Sequence, residues 1–350
     1  MRNNSDGNPY LSLVMCSRND NHGGNMLRRM QVSISGRLEQ LEKHRIESEL
    51  ILVEWNPPAG KPLLKDVIQW PSGLKYCTIR IIEVPSRIHR RYKYHKKLPL
   101  AAGIAINTGI RRARGKFVLM SLIDHLYTEE LMSFIATKSL KPDEVYRADR
   151  CDVNRNVLQY DTSGEQLNFC RQNILRIHSK FSCDGLGLPD LHVSAGDFHL
   201  MSRGIFNLLH GYREDDIKGT YCDSLLSYAS YMAGVKEVVL NEPMRVYHID
   251  HNNTFIGSFE TSNVSFIDWV SLPFIPRSVS FRLISLYSKY VGKITTNKYN
   301  GVPVLHWEEF IRISQDIVAG NRSYILNDDT WGLAGEDLKE TLVSLAEWDN

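Results

Sequence analysis

Residues 101–131 read AAGIAINTGIRRARGKFVLMSLIDHLYTEEL and contain, in order, a helix, a turn, a strand and an acidic strand end. Small and apolar residues recur at helical spacing over 101–114, and Gly115 is suited to end that helix. Lys116–Ile123 then has the apolar run of a short strand that is covered on both faces. The pattern predicts an α/β fold with a buried central strand that ends at Asp124.

The carboxylate of Asp124 is the first candidate functional group. In open α/β sheets, ligands bind at the carboxyl ends of the strands, which is where Asp124 is expected to lie. Hard oxygen ligands suit Mg²⁺ or Mn²⁺, so a carboxylate there can hold a divalent metal against a diphosphate. Because Asp is also common in turns, a plain turn residue is the alternative. Thr128, followed by Glu129 and Glu130, predicts the start of the next helix.

The chain as a whole has the composition of a soluble globular protein. Its 350 residues suffice for one large domain or two smaller ones, with 43% hydrophobic residues, 23% charged residues and a net charge of +2. That charge is too small to require a nucleic-acid partner, and we expect none. Six scattered cysteines without a CxxC pair favour reduced thiols. Residues 1–9 are polar and are predicted to be disordered, and they are not typical of a signal peptide. No apolar run is long enough to span a bilayer. We therefore expect a cytoplasmic protein, soluble or peripheral to a membrane.

Two strands before the central one also end in polar residues. Tyr10–Cys16 is a buried strand that opens into SRNDNHGG, residues 17–24, before the helix Asn25–Lys43. Glycines let the backbone approach a ligand and a helix N-terminus favours anions, so this loop suits a nucleotide, with a solvated loop as the alternative. Glu49–Glu54 is a second strand. Its last carboxylate, Glu54, can accept from a nucleobase N–H or a ribose hydroxyl, or simply be solvated.

A basic segment follows the third predicted strand, Thr78–Pro85. This segment, residues 86–97, reads SRIHRRYKYHKK and interleaves six Lys/Arg with histidines and tyrosines. It could clamp a diphosphate, grip RNA, rest on anionic lipid or be a plain solvated loop. The functional interpretation that we prefer is a mobile flap over the phosphates of a nucleotide.

Further candidates lie in the second half of the chain. Asp197 follows a small-residue turn, and Asp223 precedes the amphipathic helix Ser224–Ala233, where it could cap the helix or take part in catalysis. His248 and His251 could supply imidazole to a metal or a phosphate. A structural histidine pair is the alternative.

The last third of the chain changes to aromatic and basic segments. They predict a mostly helical extension, residues 259–350, packed on a domain formed by residues 10–258, or else an interfacial membrane face. Trp307–Ala319 predicts an amphipathic helix, and Asn327–Leu342 predicts a loop followed by a final helix. Trp331 could stack on a sugar ring, although core packing is the commoner use of a tryptophan.

Taken together, these residues resemble the GT-A nucleotide-sugar glycosyltransferases of the family 2 kind, over about residues 10–251. Inverting members have a segment like ARNxGxxxARGxxxxFLDxDD, and this chain has Ile106–Ile110, Ala113–Gly115 and Ile123-Asp124 in the matching places. The resemblance implies a Rossmann-like mixed sheet flanked by helices. It also implies transfer of a sugar, with inversion, from a nucleotide-activated donor to a glycan, lipid-linked or other hydroxyl acceptor, as in polysaccharide biosynthesis.

The resemblance implies roles for particular residues. Glu54 would contact the base or the ribose, and Asp124 would be the second Asp of the family's DxD motif. Asp223, where the family has Glu-Asp, would be the general base that takes the proton of the acceptor hydroxyl. Asp197 would accept from hydroxyls of the sugar or acceptor. The other donor-site residues would be Ser17, Arg18, Asn19, Asn107 and Arg111.

Two positions depart from the family motif. Leu122 stands where the first Asp of DxD is expected, and Ile106 replaces the usual Arg. A divalent metal, Mn²⁺ or Mg²⁺, could still be held by Asp124, with His248 or His251 completing the site. Alternatively, the basic segment would offset the charge that develops on the leaving diphosphate. The sequence leaves both arrangements open.

Two other functions use the same features. A nucleotidyltransferase also has a nucleotide-binding α/β sheet and a carboxylate-held metal, and it would release pyrophosphate from a nucleoside triphosphate. A non-catalytic protein that binds RNA or membranes through the basic segment would bind with a steep salt dependence. The identities of sugar, base and acceptor depend on the shape of the pocket rather than on motifs.

Overall fold

The computed structural model describes residues 7–180, 186–193, 198–214, 221–251 and 307–349, with a few positions between 279 and 305. Asp197 and most of the segment between residues 252 and 297 lie outside the described residues. Residues 1–6 of the N-terminus predicted to be disordered also lie outside them. Within that predicted stretch, the carbonyl of Pro9 accepts a hydrogen bond from the N–H of Lys116, so ordered contacts begin before Tyr10.

A mixed sheet forms the centre of the molecule. The strands of the described residues are β1 (Leu11–Ser17), β2 (Ser48–Trp55), β3 (Cys77–Val84), β4 (Phe117–Met120), β5 (His125–Tyr127), β6 (Glu144–Val153), β7 (Ile174–His178), β8 (His199–Ser202), β9 (Lys236–Ile249), β10 (Lys298–Tyr299), β11 (Val302–Pro303) and β12 (Lys339–Ser344). In this part of the chain, ten strands form one sheet in the order β12-β3-β2-β1-β4-β8-β6-β9-β5, with β7 beside β6. Strands β3, β2, β1 and β4 run parallel, so their carboxyl ends meet at one edge. The predicted mixed α/β sheet is confirmed.

Helices cover both faces of this sheet. Those of the described residues are α1 (Met26–Lys43), α2 (Leu64–Val67), α3 (Ser86–His89), α4 (Ala102–Arg111), α5 (Glu129–Ala136), α6 (Ser163–Gln172), α7 (Arg203–Leu209), α8 (Cys222–Met232) and α9 (Trp307–Val318). Successive side chains of a strand point to opposite faces. Leu13 of β1 shares a core with Met30 of α1, whereas the next residue, Val14, shares a second core with Ile110 of α4. Helices α1 and α4 therefore lie on opposite faces.

Residues 101–131 fold much as their pattern predicts, but Gly115 is required for a different reason from the one predicted. Thr128 caps α5, since its side chain accepts from the N–H of Leu131. Helix α4 already ends at Arg111, so Gly115 is not its stop signal. A Cβ at Gly115 would lie 2.5 Å from Oγ of Ser12, and glycine is needed there because the turn passes directly against β1.

The C-terminal prediction was wrong at one element. The end of the predicted final helix, which was expected to reach Leu342, instead belongs to β12, residues 339–344, which runs antiparallel to the edge strand β3. An edge strand offers unpaired backbone groups, and pairing with them outweighs local helix propensity. Arg80 of β3 also reaches the carboxylate of Glu340 at 2.6 Å. The helix predicted at Trp307–Ala319 is confirmed as α9.

The described cysteines are free thiols. They are Cys16, Cys77, Cys151, Cys170 and Cys222. Burial raises the pKa of Cys16 and of Cys77 to about 12, so both stay protonated and unreactive. Within the part of the chain that the structure covers, no helix combines the length and the apolar character needed to cross a membrane.

Candidate active site

Asp124 and two histidines at the end of β9 form a group of potential metal ligands, which we call the Asp124 cluster (Asp124, His248 and His251). One ligand atom of each lies within 4.8 Å of the others. Nε2 of His251 is 3.3 Å from Oδ2 of Asp124, and Nε2 of His248 is 3.9 Å from Oδ1. The N–H of Ile249 donates to the carbonyl of Asp124, which fixes the end of β9 beside this residue. The structure therefore brings together the three residues that the sequence suggested as metal ligands.

Asp124 is a buried but ionised carboxylate. Nη1 of Arg29, near the start of α1, donates to its Oδ2. Burial by itself would raise the pKa of Asp124, but the hydrogen bond from His251 and the charges of His248 and Arg29 outweigh it and hold that pKa below its usual value. An ionised carboxylate is the form that binds a cation.

Arg29 also fixes the loop that follows β1. Its Nη2 donates to the carbonyl of His22 at 2.6 Å, and its Nε donates to the carbonyl of Gly24 at 3.0 Å. Gly23, with φ of +70°, packs directly against the cluster, because a Cβ there would lie 2.6 Å from Nη2 of Arg29 and 2.8 Å from Nδ1 of His251. The loop predicted to bind a nucleotide is thus next to the Asp124 cluster.

A buried polar stripe on α1 holds the backbone that carries Asp124. Arg37 of the stripe donates to the carbonyls of Leu122 and His125, and Ser33 donates to the carbonyl of His125 at 2.7 Å. Sequence reasoning missed this stripe, although polar residues at helical spacing within a buried helix were a readable signal. The stripe consists of Arg29, Ser33, Arg37 and Gln40.

Asp152 of β6 is a second residue that sequence reasoning missed. Its Oδ1 is 3.0 Å from Nδ1 of His248, and its Oδ2 is 2.8 Å from Nε2 of His178. Burial would raise the pKa of Asp152, but the hydrogen bonds from both histidines and the charge of Arg150 hold it below the usual value. The sequence showed only a strand with charged ends, and no local pattern indicated which histidine would pair with it.

Glu54 lies at the same sheet edge as Asp124. The register pairs it with Ser17 at the end of β1. Its side chain is fully buried, and both carboxylate oxygens lie 3.0 Å from the backbone nitrogen of Leu64. Burial raises the pKa of Glu54 to about 7. The contact of Glu54 with a base or ribose stays a prediction.

The three residues predicted for the nucleoside pocket lie at the end of β1 and directly after it. Ser17 is fully buried, and Arg18 and Asn19 are nearly so. Nη1 of Arg18 is 3.3 Å from Oδ2 of Asp20, and Nδ2 of Asn19 donates to the carbonyl of Pro62 at 3.0 Å. These contacts hold the loop at the carboxyl edge, and the pocket role stays a prediction.

Other predicted donor residues form a separate set on the face covered by α4, which we call the α4 network (Asn107, Arg111, Glu214 and Trp331). Nδ2 of Asn107 donates to the carbonyl of Tyr212 at 2.6 Å and to Oε1 of Glu214 at 2.8 Å. The guanidinium of Arg111 lies 4.9 Å from the centre of the Trp331 ring, which is only 4% exposed. The burial of Trp331 favours core packing, and its stacking on a sugar stays a prediction, as do the donor contacts of Asn107 and Arg111. The network lies on the face covered by α4, whereas Arg29, which contacts Asp124, belongs to α1 on the opposite face.

Asp223 lies in the first turn of α8 and is partly exposed. The next residue, Ser224, donates from its hydroxyl to the carbonyl of Val193 at 3.1 Å, which anchors this helix end. A helix N-terminus favours the charged form of a carboxylate. The role of Asp223 as general base stays a prediction, as does that of Asp197, which lies outside the described residues.

The basic segment is anchored rather than extended. Its first residues form α3, and Nδ1 of His89 accepts from Nε1 of Trp55 at 2.9 Å. Arg87 and Arg91 both pair with Glu336. Its basic side chains remain exposed beyond the carboxyl end of β3.

Several solved structures are similar to this chain. The crystal structure of S. aureus TarS 1–349 matches with a TM-score of 0.44 and 13% identity, covering 68% of this chain and 60% of that chain. TarS 1–349 in complex with UDP matches with a TM-score of 0.41 and 14% identity, covering 69% and 60%. GalNAc-T7 with UDP, GalNAc and Mn²⁺ matches with a TM-score of 0.47 and 14% identity, covering 89% of this chain and 55% of that chain. Each is a likeness of fold, and this chain spans 55–60% of the length of the chains that it matches. No protein-family model matches the sequence, and no curated protein does.

Proposed function

We propose that this protein transfers a sugar from a nucleotide-activated donor to a hydroxyl acceptor, using a divalent cation held by the Asp124 cluster. The observation that carries the proposal is the position of that cluster. It lies at the carboxyl edge of the parallel strands, beside the glycine-containing loop after β1, where ligands of open α/β sheets bind.

The donor atoms of the cluster fit a divalent cation. Asp124 is held ionised. Nδ1 of His248 is engaged by Asp152, so in the neutral form of that ring, which is the form that binds a metal, Nε2 carries the lone pair that a cation needs. One carboxylate with two imidazoles suits Mn²⁺ and related metals better than Mg²⁺, which prefers oxygen ligands. When bound, the cation would offset the charge that develops on the leaving diphosphate.

The cation site also explains how the chain can work without the first Asp of the family motif. Leu122 stands in that place, and its carbonyl is bonded to Arg37. Arg29 supplies a fixed positive charge against Asp124, so the local charge balance differs from that of two neighbouring carboxylates. His248 and His251 provide the ligands that the missing carboxylate does not.

The remaining roles follow from position. The residues after β1 and Glu54 would hold the nucleoside at the same edge. Asp223 would accept the proton of the acceptor hydroxyl as that oxygen attacks the anomeric carbon, with inversion. The basic segment, beyond the end of β3, would cover the diphosphate.

A thermal-shift screen of nucleoside diphosphates with and without Mn²⁺ tests the donor site. A ligand that binds only the folded state raises the melting temperature. We expect the largest rise when one nucleoside diphosphate and Mn²⁺ are both present, and we expect Asp124→Asn to remove the Mn²⁺-dependent part. A screen in which no diphosphate raises the melting temperature would contradict the proposal.

Substitution of the proposed general base, Asp223, tests the reaction. Asp223→Asn should keep the diphosphate-dependent rise in melting temperature and lose sugar transfer by at least about a hundredfold, the usual effect of removing a general base. Normal turnover in this variant would remove Asp223 from the mechanism. Release of pyrophosphate from a nucleoside triphosphate and a sugar phosphate would instead identify a nucleotidyltransferase.

A further inference from the structure

Asp152 stands between two histidines in the middle of three neighbouring strands. Strand β6 carries Asp152, the parallel strand β9 places His248 directly opposite it, and the antiparallel strand β7 lies on its other side. Oδ1 of Asp152 is 3.0 Å from Nδ1 of His248, and Oδ2 is 2.8 Å from Nε2 of His178. Nε of Arg150 lies 3.2 Å from Oδ1 as well. Each oxygen of the carboxylate therefore lies within hydrogen-bond distance of a histidine nitrogen.

The contact with Nδ1 determines which nitrogen of His248 carries the hydrogen. A carboxylate only accepts, so Nδ1 at 3.0 Å must donate. In the neutral ring, Nε2 is then left unprotonated, and Nε2 is the atom that faces Oδ1 of Asp124 at 3.9 Å. The hydrogen bond also fixes the rotation of the ring. Both effects prepare His248 to bind a cation through Nε2.

We infer that Asp152 is a positioning residue for the cation site: it holds His248 in the tautomer and orientation that let Nε2 act as a metal ligand. This inference rests on the proposed function, because it assigns a role at the cation site proposed above. Carboxylates behind metal-binding histidines fix the ring and raise its basicity, and their loss weakens metal binding about 10- to 100-fold.

The same strand provides a matched control. Asp149, three residues before Asp152, also pairs with a histidine, with its Oδ1 2.9 Å from Nε2 of His192. His192 is fully buried and is not a member of the Asp124 cluster. Removing Asp149 breaks one Asp–His pair on β6, whereas removing Asp152 breaks its pairs with His178 and His248. Of the two carboxylates, only Asp152 is bonded to a residue of the cation site.

The direct test measures Mn²⁺ affinity of the full chain without donor, by titration calorimetry or by the free-ion EPR signal. Asp152→Ala should weaken Mn²⁺ binding about 10- to 100-fold. Asp152→Asn should weaken Mn²⁺ binding less, because the amide oxygen still accepts the hydrogen bond from Nδ1. It should still weaken binding to some extent, because the amide carries no charge. Asp149→Ala should bind as the wild type does. His248→Ala gives the loss expected when the ligand itself is removed.

A second measurement does not depend on the metal. In ¹⁵N-histidine spectra of the metal-free protein, His248 should show a protonated Nδ1 and an unprotonated Nε2. In Asp152→Ala, the population should move toward the Nε2-protonated form, whereas Asp149→Ala should leave the signals of His248 unchanged. A change in overall stability alone would not produce this shift.

Each other outcome overturns a definite claim. Mn²⁺ binding at wild-type strength in Asp152→Ala, together with its loss in His248→Ala, would overturn the positioning role and leave the proposed cation site standing. Equal weakening in Asp149→Ala and Asp152→Ala would show a general effect of disturbing β6. Equal Mn²⁺ binding by the wild type and His248→Ala would remove the cation site, and the inference with it.

Discussion

The Asp124 cluster and the α4 network contain residues of the same stretch, 101–131, and they pack against helices on opposite faces of one sheet. In the cluster, a buried carboxylate meets an arginine and two imidazoles. In the network, the carboxylate of Glu214 meets neutral donors, the amide of Asn107 and the N–H of Gly332, each at 2.8 Å. The first set combines charged groups with potential metal-ligand atoms, whereas the second is a network of hydrogen bonds to neutral donors.

Burial raises the pKa of both carboxylates, but their net pKa shifts are opposite. Burial raises the pKa of Glu214, and the hydrogen bonds from Asn107 and Gly332 offset this only in part. Burial acts in the same direction on Asp124, but the bond from His251 and the neighbouring charges reverse it. The charge of the partners, rather than burial, therefore decides the direction in which the pKa of each carboxylate shifts.

The largest expected effect tests the charge pairing of the cluster. Arg29→Met keeps the bulk of the side chain but leaves Asp124 without its guanidinium partner, and breaking a buried ion pair in this way costs about 3–5 kcal/mol of unfolding free energy. Urea unfolding of the metal-free protein measures the loss. Asp124→Asn in the same chain should recover part of it, because the unpaired charge is then gone.

The neighbouring Arg28 is the matched control for that substitution. It pairs with Asp161 at 3.1 Å, and both side chains are exposed. Exposed pairs contribute at most about 1 kcal/mol, so Arg28→Met should change stability little. Equal losses of unfolding free energy in Arg28→Met and Arg29→Met would show that the buried ion pair stabilises the protein no more than the exposed one. The contrast between the Asp124 cluster and the α4 network would then weaken.

The sequence was sufficient for the fold and for the three residues that the structure brings together in the Asp124 cluster. Alternating and continuous apolar runs located β1, β2, β3 and β4, and the polar ends of those strands pointed to Glu54 and Asp124. A short HxxH spacing was enough to mark His248 and His251. These signals are local, so they can be read without knowing which elements pack together.

What the sequence could not provide depends on contacts between distant residues. The partner of His248 is 96 positions away, on β6, and follows from strand register. The motif position of Asn107 suggested the donor site, yet its amide is bonded to Tyr212, which is 105 positions away. Strand β12 likewise exists because β3 offers an edge, and not because residues 339–344 prefer to be extended.

A second prediction asks whether the α4 network is only a brace. Asn107→Leu keeps the number and branching of the side-chain heavy atoms but leaves the N–H of Tyr212 without the side-chain oxygen that it now reaches at 2.8 Å. An unsatisfied buried donor costs about 1–3 kcal/mol, so we expect that loss in urea unfolding. Mn²⁺ and nucleoside diphosphate affinities should not change. Normal stability with weakened diphosphate binding would instead support the donor role that the family motif implies.

The smallest expected effect is on the pH dependence of the unfolding free energy, to which Glu214 and Asp124 contribute with opposite signs. The pKa of Glu214 is raised above its ordinary value of 4.5, so the folded protein binds this proton more tightly than the unfolded chain. The contribution of Glu214 to the unfolding free energy therefore falls as the pH rises above about 4.5, by about 1.4 kcal/mol for each unit of pKa difference, and levels off above the raised pKa.

Glu214→Gln keeps an oxygen for both hydrogen bonds and does not titrate, so its stability should lack this decline and exceed that of the wild type near pH 8. Urea midpoints measured from pH 4.5 to 8 give the difference. The lowered pKa of Asp124 acts in the other direction, because its stabilising contribution is present above the ordinary Asp pKa and is lost only in stronger acid. If the unfolding free energies of the wild type and Glu214→Gln change in parallel with pH, ionising Glu214 does not destabilise the folded protein. Neutral hydrogen-bond partners would then stabilise a carboxylate as well as the charged partners of Asp124 do.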